Sequence, residues 1–479
     1  MRKEILRFDQ VTCPPDLKNV NFTIYEGEID GLIGIDSLGL DYLVDTIQHN
    51  LPLHYGWVYY NEIKVNDYCQ TLHTANKIVV LQKKNSLIGT LSVAENLFII
   101  RNGYREHLIN YKMIRQQTQM ILSSVGLQID PARPAAYLST CEKWILELAK
   151  AWISGVKLVI LRDVENLVTE NDLSRIFNVM HILAGHKMSF LYICSHHQAA
   201  FRICDRCFLM KQGRLIRCLD KSQMTDEIMR HYLYAFNNRV ADAGRRRYFT
   251  TPDTGTAEGF YCRMDNFEFS LKKGETVVIL DTDDKVITSF FRKLKSNIPA
   301  RAVLRIDGKP WKYGSRKYAL IVTHPLETML CQQLSVLDNL CLPFYNKMKN
   351  FWPTKTNKEA LAKDVYPVFG DTVYASSLYG LDPAILYDII YLRTFILHPS
   401  FLCVVQPFAS VDMLTRLKLL SYFDKFRERG ITVCILSYSL SDFLQVADRM
   451  IVVRDGRVQN EYLQKDFQLY SERSGSNPC

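Results

Sequence analysis

No stretch of the chain approaches the ~18 consecutive apolar residues that a helix needs to cross a bilayer, which excludes a membrane-spanning subunit as its reading. The opening MRKEILRFDQ also lacks the apolar segment and small-residue cleavage site of a secretory signal. A cytosolic chain is expected, with no direct membrane insertion. A paired cysteine framework is missing too. The 13 cysteines are scattered, and several sit within apolar runs, as Cys194 does in FLYICS and Cys403 in FLCVV. They read as small reduced core residues rather than disulfides. Cys204 and Cys207 have metal-like spacing, but no second pair lies at a distance that completes a tetrahedral site. No metal is expected. The net charge of +9 has no concentrated basic tract beyond Arg245, Arg246 and Arg247, so nucleic acid is not an expected partner. What is present is ordinary globular material. The 479 residues, 48% hydrophobic and 23% charged, suffice for about two or three domains.

The most informative feature is self-similarity. NVNFTIYEGE, from Asn19 to Glu28, recurs as NFEFSLKKGE from Asn266 to Glu275, a shift of 247 residues; LSVAENLFI from Leu91 recurs as LSVLDNLCL from Leu334, and ICDRCFLMKQGRLI from Ile203 as VADRMIVVRDGRVQ from Val446, both at 243. Solenoid units are ~20 to 50 residues long, so a period of this length means a duplicated domain. The boundary falls between about residues 234 and 259, where apolar periodicity fades and Gly, Pro, Thr and Asp accumulate. We expect a first domain over 1–238, a linker over 239–258 and a second domain over 259–479. In each half, strand-like runs such as GEIDGLIGI, KLVILRD and MSFLYICS alternate with helical ones such as SRIFNVMHILAG. That alternation predicts an α/β fold with a largely parallel sheet, whose ligands bind beyond the carboxyl ends of the strands.

Four stretches of the first half stand in a telling order: GLIGIDSLGLDYLVDTI, YLSTCEKWILELAKAWISG, KLVILRDVENL and ICSHHQAAFRICDR. They correspond to a phosphate loop, a signature helix, an acidic strand and a switch segment. In their order and spacing the chain resembles the ATP-binding-cassette family, specifically the tandem ATPase subunits of bacterial monosaccharide importers. The resemblance covers nearly the whole length. It implies two P-loop-type nucleotide-binding domains, ATP as ligand, and composite sites that take the phosphate loop from one half and the signature from the other.

The motif residues depart from that family. A working phosphate loop, G-x-x-x-x-G-K-[ST], wraps backbone amides around phosphates, adds a lysine to neutralise them and a hydroxyl to hold Mg²⁺. The first loop reads Gly34-Ile35-Asp36-Ser37-Leu38-Gly39-Leu40-Asp41-Tyr42. Both glycines persist, but Leu40 replaces the lysine and Asp41 the hydroxyl. The second reads Asp281-Thr282-Asp283-Asp284-Lys285-Val286-Ile287-Thr288-Ser289, with no glycine and only Thr288 keeping a hydroxyl. A carboxylate about 4 Å from a phosphate charge costs roughly 1 kcal/mol in water and about 4 at an effective dielectric of 20, more than the ~2 kcal/mol a helix N-terminus offers in return.

The acidic strand should end in an Asp for Mg²⁺ and a Glu that polarises water. The first half has Arg162 and Asp163 there, the second Val405 and Gln406. Arg162 is expected to pair internally with Asp41 or Glu165, and Asp163 is the candidate shortened base. In the signature, Leu138-Ser139-Thr140-Cys141-Glu142 replaces the usual glycines, and Ser139 with Glu142 forms a capping box. The second copy, Leu378-Tyr379-Gly380-Leu381-Asp382, keeps one glycine. His196 stands at the switch-histidine position and Ser437 at its second-half counterpart, while Lys83 and Lys84 stand where a metal-contacting Gln belongs. Weak ATP binding and no Mg²⁺ site are therefore expected.

The expected role is a hydrolysis-defective pseudo-ATPase of a sugar import system, peripheral at the inner face of the membrane. Its expected partners are permease subunits or a normal cassette ATPase subunit. Two alternatives stay open: a weak ATPase that still powers a carbohydrate importer, and a scaffold or nucleic-acid-associated protein outside transport.

Overall fold

The computed structural model describes residues 2–36, 38–66, 76–82, 86–98, 110–194, 197–225, 227–229, 259–264, 267–295, 305–306, 309–310, 317–342, 355–409, 411–438 and 446–467. Its contacts divide the chain into two units, Met1–Tyr234 and Ala235–Cys479. The linker expected at 239–258, with Arg245 to Arg247, lies outside the described residues.

Each unit contains two sheets. In the first unit an antiparallel sheet joins β1 (Glu4–Cys13), β2 (Leu17–Tyr25), β4 (Tyr55–Tyr60) and β5 (Ile63–Asn66) in the order 2-1-4-5. The second sheet is built from β3 (Ile29–Gly34), β6 (Ile78–Leu81), β7 (Leu158–Arg162), β8 (Ser189–Cys194), β9 (Arg206–Lys211) and β10 (Arg214–Asp220), in the order 10-9-3-8-7-6. All its pairings are parallel except the β9–β10 hairpin. Strands β3 and β8 are buried along their whole length, which explains why they read as unbroken apolar runs instead of alternating ones.

The second unit repeats this plan. β11 (Gly259–Met264), β12 (Phe267–Lys272), β14 (Arg305–Ile306) and β15 (Lys309–Pro310) form the antiparallel sheet. β13 (Thr276–Asp281), β16 (Tyr318–Ile321), β17 (Phe401–Val405), β18 (Thr432–Ser437), β19 (Arg449–Arg454) and β20 (Arg457–Leu463) take the order 16-17-18-13-19-20, which is the first order read from its other edge. Strand partners fix the correspondence. Gly34 pairs with Met210 as Asp281 pairs with Val453, and Ile33 pairs with Cys194 as Leu280 pairs with Ser437.

Helices fill the connections: α1 (Leu40–His49), α2 (Val93–Phe98), α3 (Tyr111–Ser124), α4 (Thr140–Ile153), α5 (Glu170–Gly185) and α6 (His197–Ile203) in the first unit. In the second they are α7 (Lys285–Lys295), α8 (Val336–Cys341), α9 (Lys355–Phe369), α10 (Pro383–Leu397) and α11 (Met413–Glu428). α5 shows why such segments are helical. Leu173, Ile176, Phe177, Met180 and Leu183 are buried at three- and four-residue spacing, and the Thr169 hydroxyl accepts from the Asp172 amide at 3.3 Å to cap the first turn. Both α/β sheets thus deliver their strand ends to the loops that matter for function.

Candidate functional site

In the first unit the loop leaves β3 at Gly34 and enters α1 at Gly39. The Ile35 amide donates to the Met210 carbonyl at 2.9 Å, and the Asp36 carboxylate accepts from the Gln212 amide at 2.9 Å and the Leu38 amide at 3.3 Å. Asp36 is therefore engaged with the turn between β9 and β10. Gly39 has φ +81, and a Cβ there would lie 2.3 Å from the Asp16 carbonyl oxygen. The turn between β1 and β2 thus rests directly on the loop, and only glycine allows it.

Leu40 points inward. It belongs to the core cluster that holds Leu32, Leu43, Leu191 and Ile193, and its Cδ1 would be 2.5 Å from a Cβ placed on Gly34. The position that resembled a phosphate-binding lysine is a core position, and Gly34 is needed for the leucine to fold back over the loop. Tyr42 accepts from the Cys13 thiol at 2.8 Å and donates to the Pro52 carbonyl at 3.4 Å, tying α1 to the antiparallel sheet. Ser37 lies outside the described residues.

Asp41 faces the end of β7, where Arg162 pairs with it. Arg162 Nε also lies 3.6 Å from Asp163 Oδ2. Of the two partners expected for Arg162, Asp41 is the one found; Glu165 instead accepts from the buried Tyr192 hydroxyl at 2.7 Å. Asp163 follows β7 in the left-handed region, φ 53, and its amide donates to the Ile193 carbonyl at 3.0 Å. Its second-unit counterpart Gln406 adopts φ 50 and donates to the Leu436 carbonyl at 2.9 Å. The strand-end geometry is thus kept in both units while the side chains have changed. His196, Lys83 and Lys84 lie outside the described residues.

The second loop is built on the same hinge with different chemistry. The Thr282 amide donates to the Val453 carbonyl at 3.1 Å, and Asp283 accepts from the Asp455 amide at 2.8 Å, repeating what Ile35 and Asp36 do. Ile287, at the lysine position, is buried. Where the first unit has Gly34, Asp281 is fully buried and accepts from the Ile287 amide at 2.8 Å. Thr288 donates to Asp284 at 2.9 Å, Tyr438 donates to the same carboxylate, and Lys285 pairs with Asp455 and lies 3.4 Å from Asp283. Ser289 sits one residue further along α7. Burial pushes Asp281 up to about 7, against the Ile287 amide that favours its ionised form.

The signature helices are capped by their own side chains. Ser139 accepts from the Glu142 amide at 3.1 Å, and Glu142 accepts from the Ser139 amide at 2.7 Å, completing the expected capping box at α4. At α10, Asp382 accepts from the Ala384 amide at 2.7 Å. One sequence alignment needs correction. Ser437 is the buried last residue of β18 and corresponds to Cys194, so the strand register matches His196 to Ser439, outside the described residues.

Two sheets per unit, a loop from the third strand into a helix, and a capped signature helix define a cassette of the ATP-binding type, present twice. The family model for the ABC transporter matches residues 17–163. The chain has the fold of two ATP-binding cassettes in tandem. It is similar to the ribose import ATP-binding protein of Geobacillus kaustophilus, at 24% identity over 92% of each chain. Similarity extends to the L-arabinose transport ATP-binding protein of Geobacillus stearothermophilus, at 23% over 93% of this chain and 91% of the relative, and to the xylose import ATP-binding protein of Moorella thermoacetica, at 21% over 94% and 93%. Among solved structures, RNase-L inhibitor superposes with TM-score 0.57 at 14% identity, over 96% of this chain and 90% of that one. A chain from a model of ribosome-bound archaeal Pelota and ABCE1 gives 0.63 at 12%, over 96% and 78%. These two share the fold.

Proposed function

We propose that this chain is a hydrolysis-defective cassette subunit of a monosaccharide import system, which docks as a folded body at the cytoplasmic face of the membrane. The observation that carries this reading is the Arg162–Asp41 pair over an inward-facing Leu40. A cassette that turns over ATP needs a carboxylate at the strand end, a hydroxyl at the helix start and a lysine between them. Here a guanidinium occupies the first position, a carboxylate the second, and core packing the third. This donor set does not fit a hydrated Mg²⁺, because a fixed cation at the strand end repels the metal. In the second unit Val405 offers no ligand, and the loop carries Asp281, Asp283 and Asp284 without the glycines of a phosphate loop or a lysine at its position. The full-length likeness to ribose, arabinose and xylose import ATP-binding proteins supports the transport context.

Permease subunits, or an intact cassette subunit bound to them, are the partners this reading requires. Asp163 and Gln406 keep the backbone of a catalytic strand end without a glutamate, and we assign neither a chemical step.

The test is equilibrium binding of ATP with Mg²⁺ to the purified full chain, by calorimetry and thermal shift up to millimolar nucleotide. Ligand at 100 times its dissociation constant adds ~2.7 kcal/mol of stability. The expected result is at most a weak shift at millimolar nucleotide and no phosphate release above a heat-inactivated control. A saturable shift with Mg²⁺-dependent turnover would overturn the proposal in favour of a weak ATPase.

A further inference from the structure

The second loop contains two facing acceptors and no donor between them. Asp281 is fully buried; its Oδ2 accepts from the Ile287 amide while its Oδ1 has no partner. Asp283 binds the Asp455 amide through Oδ2, and its Oδ1 is likewise buried and unsatisfied. The two side chains are within hydrogen-bonding reach of each other. Two ionised carboxylates in that arrangement repel at close range with little water to screen them. One proton resolves both defects at once.

We propose that Asp281 carries a proton and donates it to Asp283, so that the second loop is a proton-held latch whose closure depends on pH. The surrounding charges make the loop responsive. From the loop itself Asp284 faces the pair, Lys285 reaches Asp283 from the start of α7, Asp455 lies at the turn after β19 with Arg454 beside it, and Tyr438 follows β18 with its hydroxyl on Asp284. Four carboxylates thus meet one close ammonium. Burial holds the Asp281 proton up to about 7, so it leaves in the range where cellular pH moves. Its departure adds a buried negative charge beside Asp283 and removes the bond that joins the end of β13 to Asp283, the residue that itself holds the Asp455 amide of the turn after β19. The loop then opens at Asp283, while the Ile287 amide, which favours the ionised form, keeps its bond to Asp281.

The sign follows from linkage. The folded chain keeps this proton up to about 7 while the unfolded chain releases it near 3.8. This contribution to stability therefore falls as pH rises between those values, by about tenfold in the folding constant per pH unit, and falls no further above the folded value. Asp281→Asn keeps both hydrogen bonds without titrating, since its carbonyl accepts from Ile287 and its amide donates to Asp283.

The experiment compares the full-length wild type and D281N by urea unfolding across about pH 5 to about pH 8, together with infrared difference spectra over the same range. The expected result is a wild-type stability that declines relative to D281N as pH rises towards 7, and a protonated-carboxyl C=O band in the wild type that disappears on raising pH and is absent from D281N. Parallel pH profiles would overturn the proposal. Should D281N not fold, the wild-type spectrum decides with Asp283→Ala, which removes the acceptor and shifts the band to higher frequency. A wild type with no such band, or a band unmoved in D283A, rejects the shared proton.

Discussion

At the scale of single residues, the first site is defined by charge that has changed places. A guanidinium stands at the end of β7 and a carboxylate at the start of α1, and they satisfy one another. Asp41 is 76% exposed and Arg162 27%, so water competes for both and the pair is worth little as a source of stability. A double-mutant cycle of Arg162→Ala and Asp41→Ala, read by urea unfolding, should give a coupling of about 0.2–1 kcal/mol, the range of solvent-screened pairs. A coupling above about 3 kcal/mol, the range of buried pairs, would mean the pair is shielded from water. Opposite charges at these positions were legible in the sequence, because motif spacing alone places them opposite one another. Leu40 and Asp36 were less so. As a leucine in a loop motif, Leu40 reads only as a missing lysine, and its burial emerges once β3 and β8 are seen to close over it. Asp36 binds the Gln212 amide, a partner 176 residues away that no local pattern announces.

At the scale of elements, the capping of α4 shows how a helix start can satisfy its own amides. Ser139 and Glu142 satisfy the first amides reciprocally, so the helix start needs no anion from outside. The capping box was readable because it is local, three residues apart, with its donors fixed by helix geometry. Removal of one partner tests it. Ser139→Ala should cost about 1 kcal/mol, within the ~0.5–2 kcal/mol range of lost N-caps, measured by urea unfolding of the full chain, while Thr140→Ala at the first helical position should change stability by less than about 0.5 kcal/mol. Equal effects would indicate that the box is incidental to helix stability. The switch segment was harder to place. Its two copies carry similar letters, SHHQ and SYSL, but hydrogen-bond register sets the true match and moves Ser437 back onto the strand end. The displacement is two residues, which similarity alone does not reveal because both serines lie in one short polar run, and strand pairing fixes it.

At the scale of the whole molecule, duplication was the strongest sequence signal, and the sheets show its physical basis. Among the described residues every strand pairing joins strands of the same unit, and each unit closes its own antiparallel and α/β sheets. The core clusters divide likewise: one is drawn from residues 5–210, the others from residues beyond 261. Each unit therefore contains the hydrogen-bonding partners and apolar contacts its sheets require, and a domain of about 240 residues buries enough of its surface to fold alone. Residues 1–234 and 235–479 expressed separately should each unfold cooperatively. Circular dichroism should report strand and helix content in both, and the sum of the two spectra should reproduce that of the intact chain. Cooperative unfolding of only one piece would show that the other draws its stability from its neighbour. In that case the two loops would have to be studied together in the intact chain. If both pieces fold, each loop is a property of its own unit, and the first unit's ion pair and the second unit's aspartates can be tested separately.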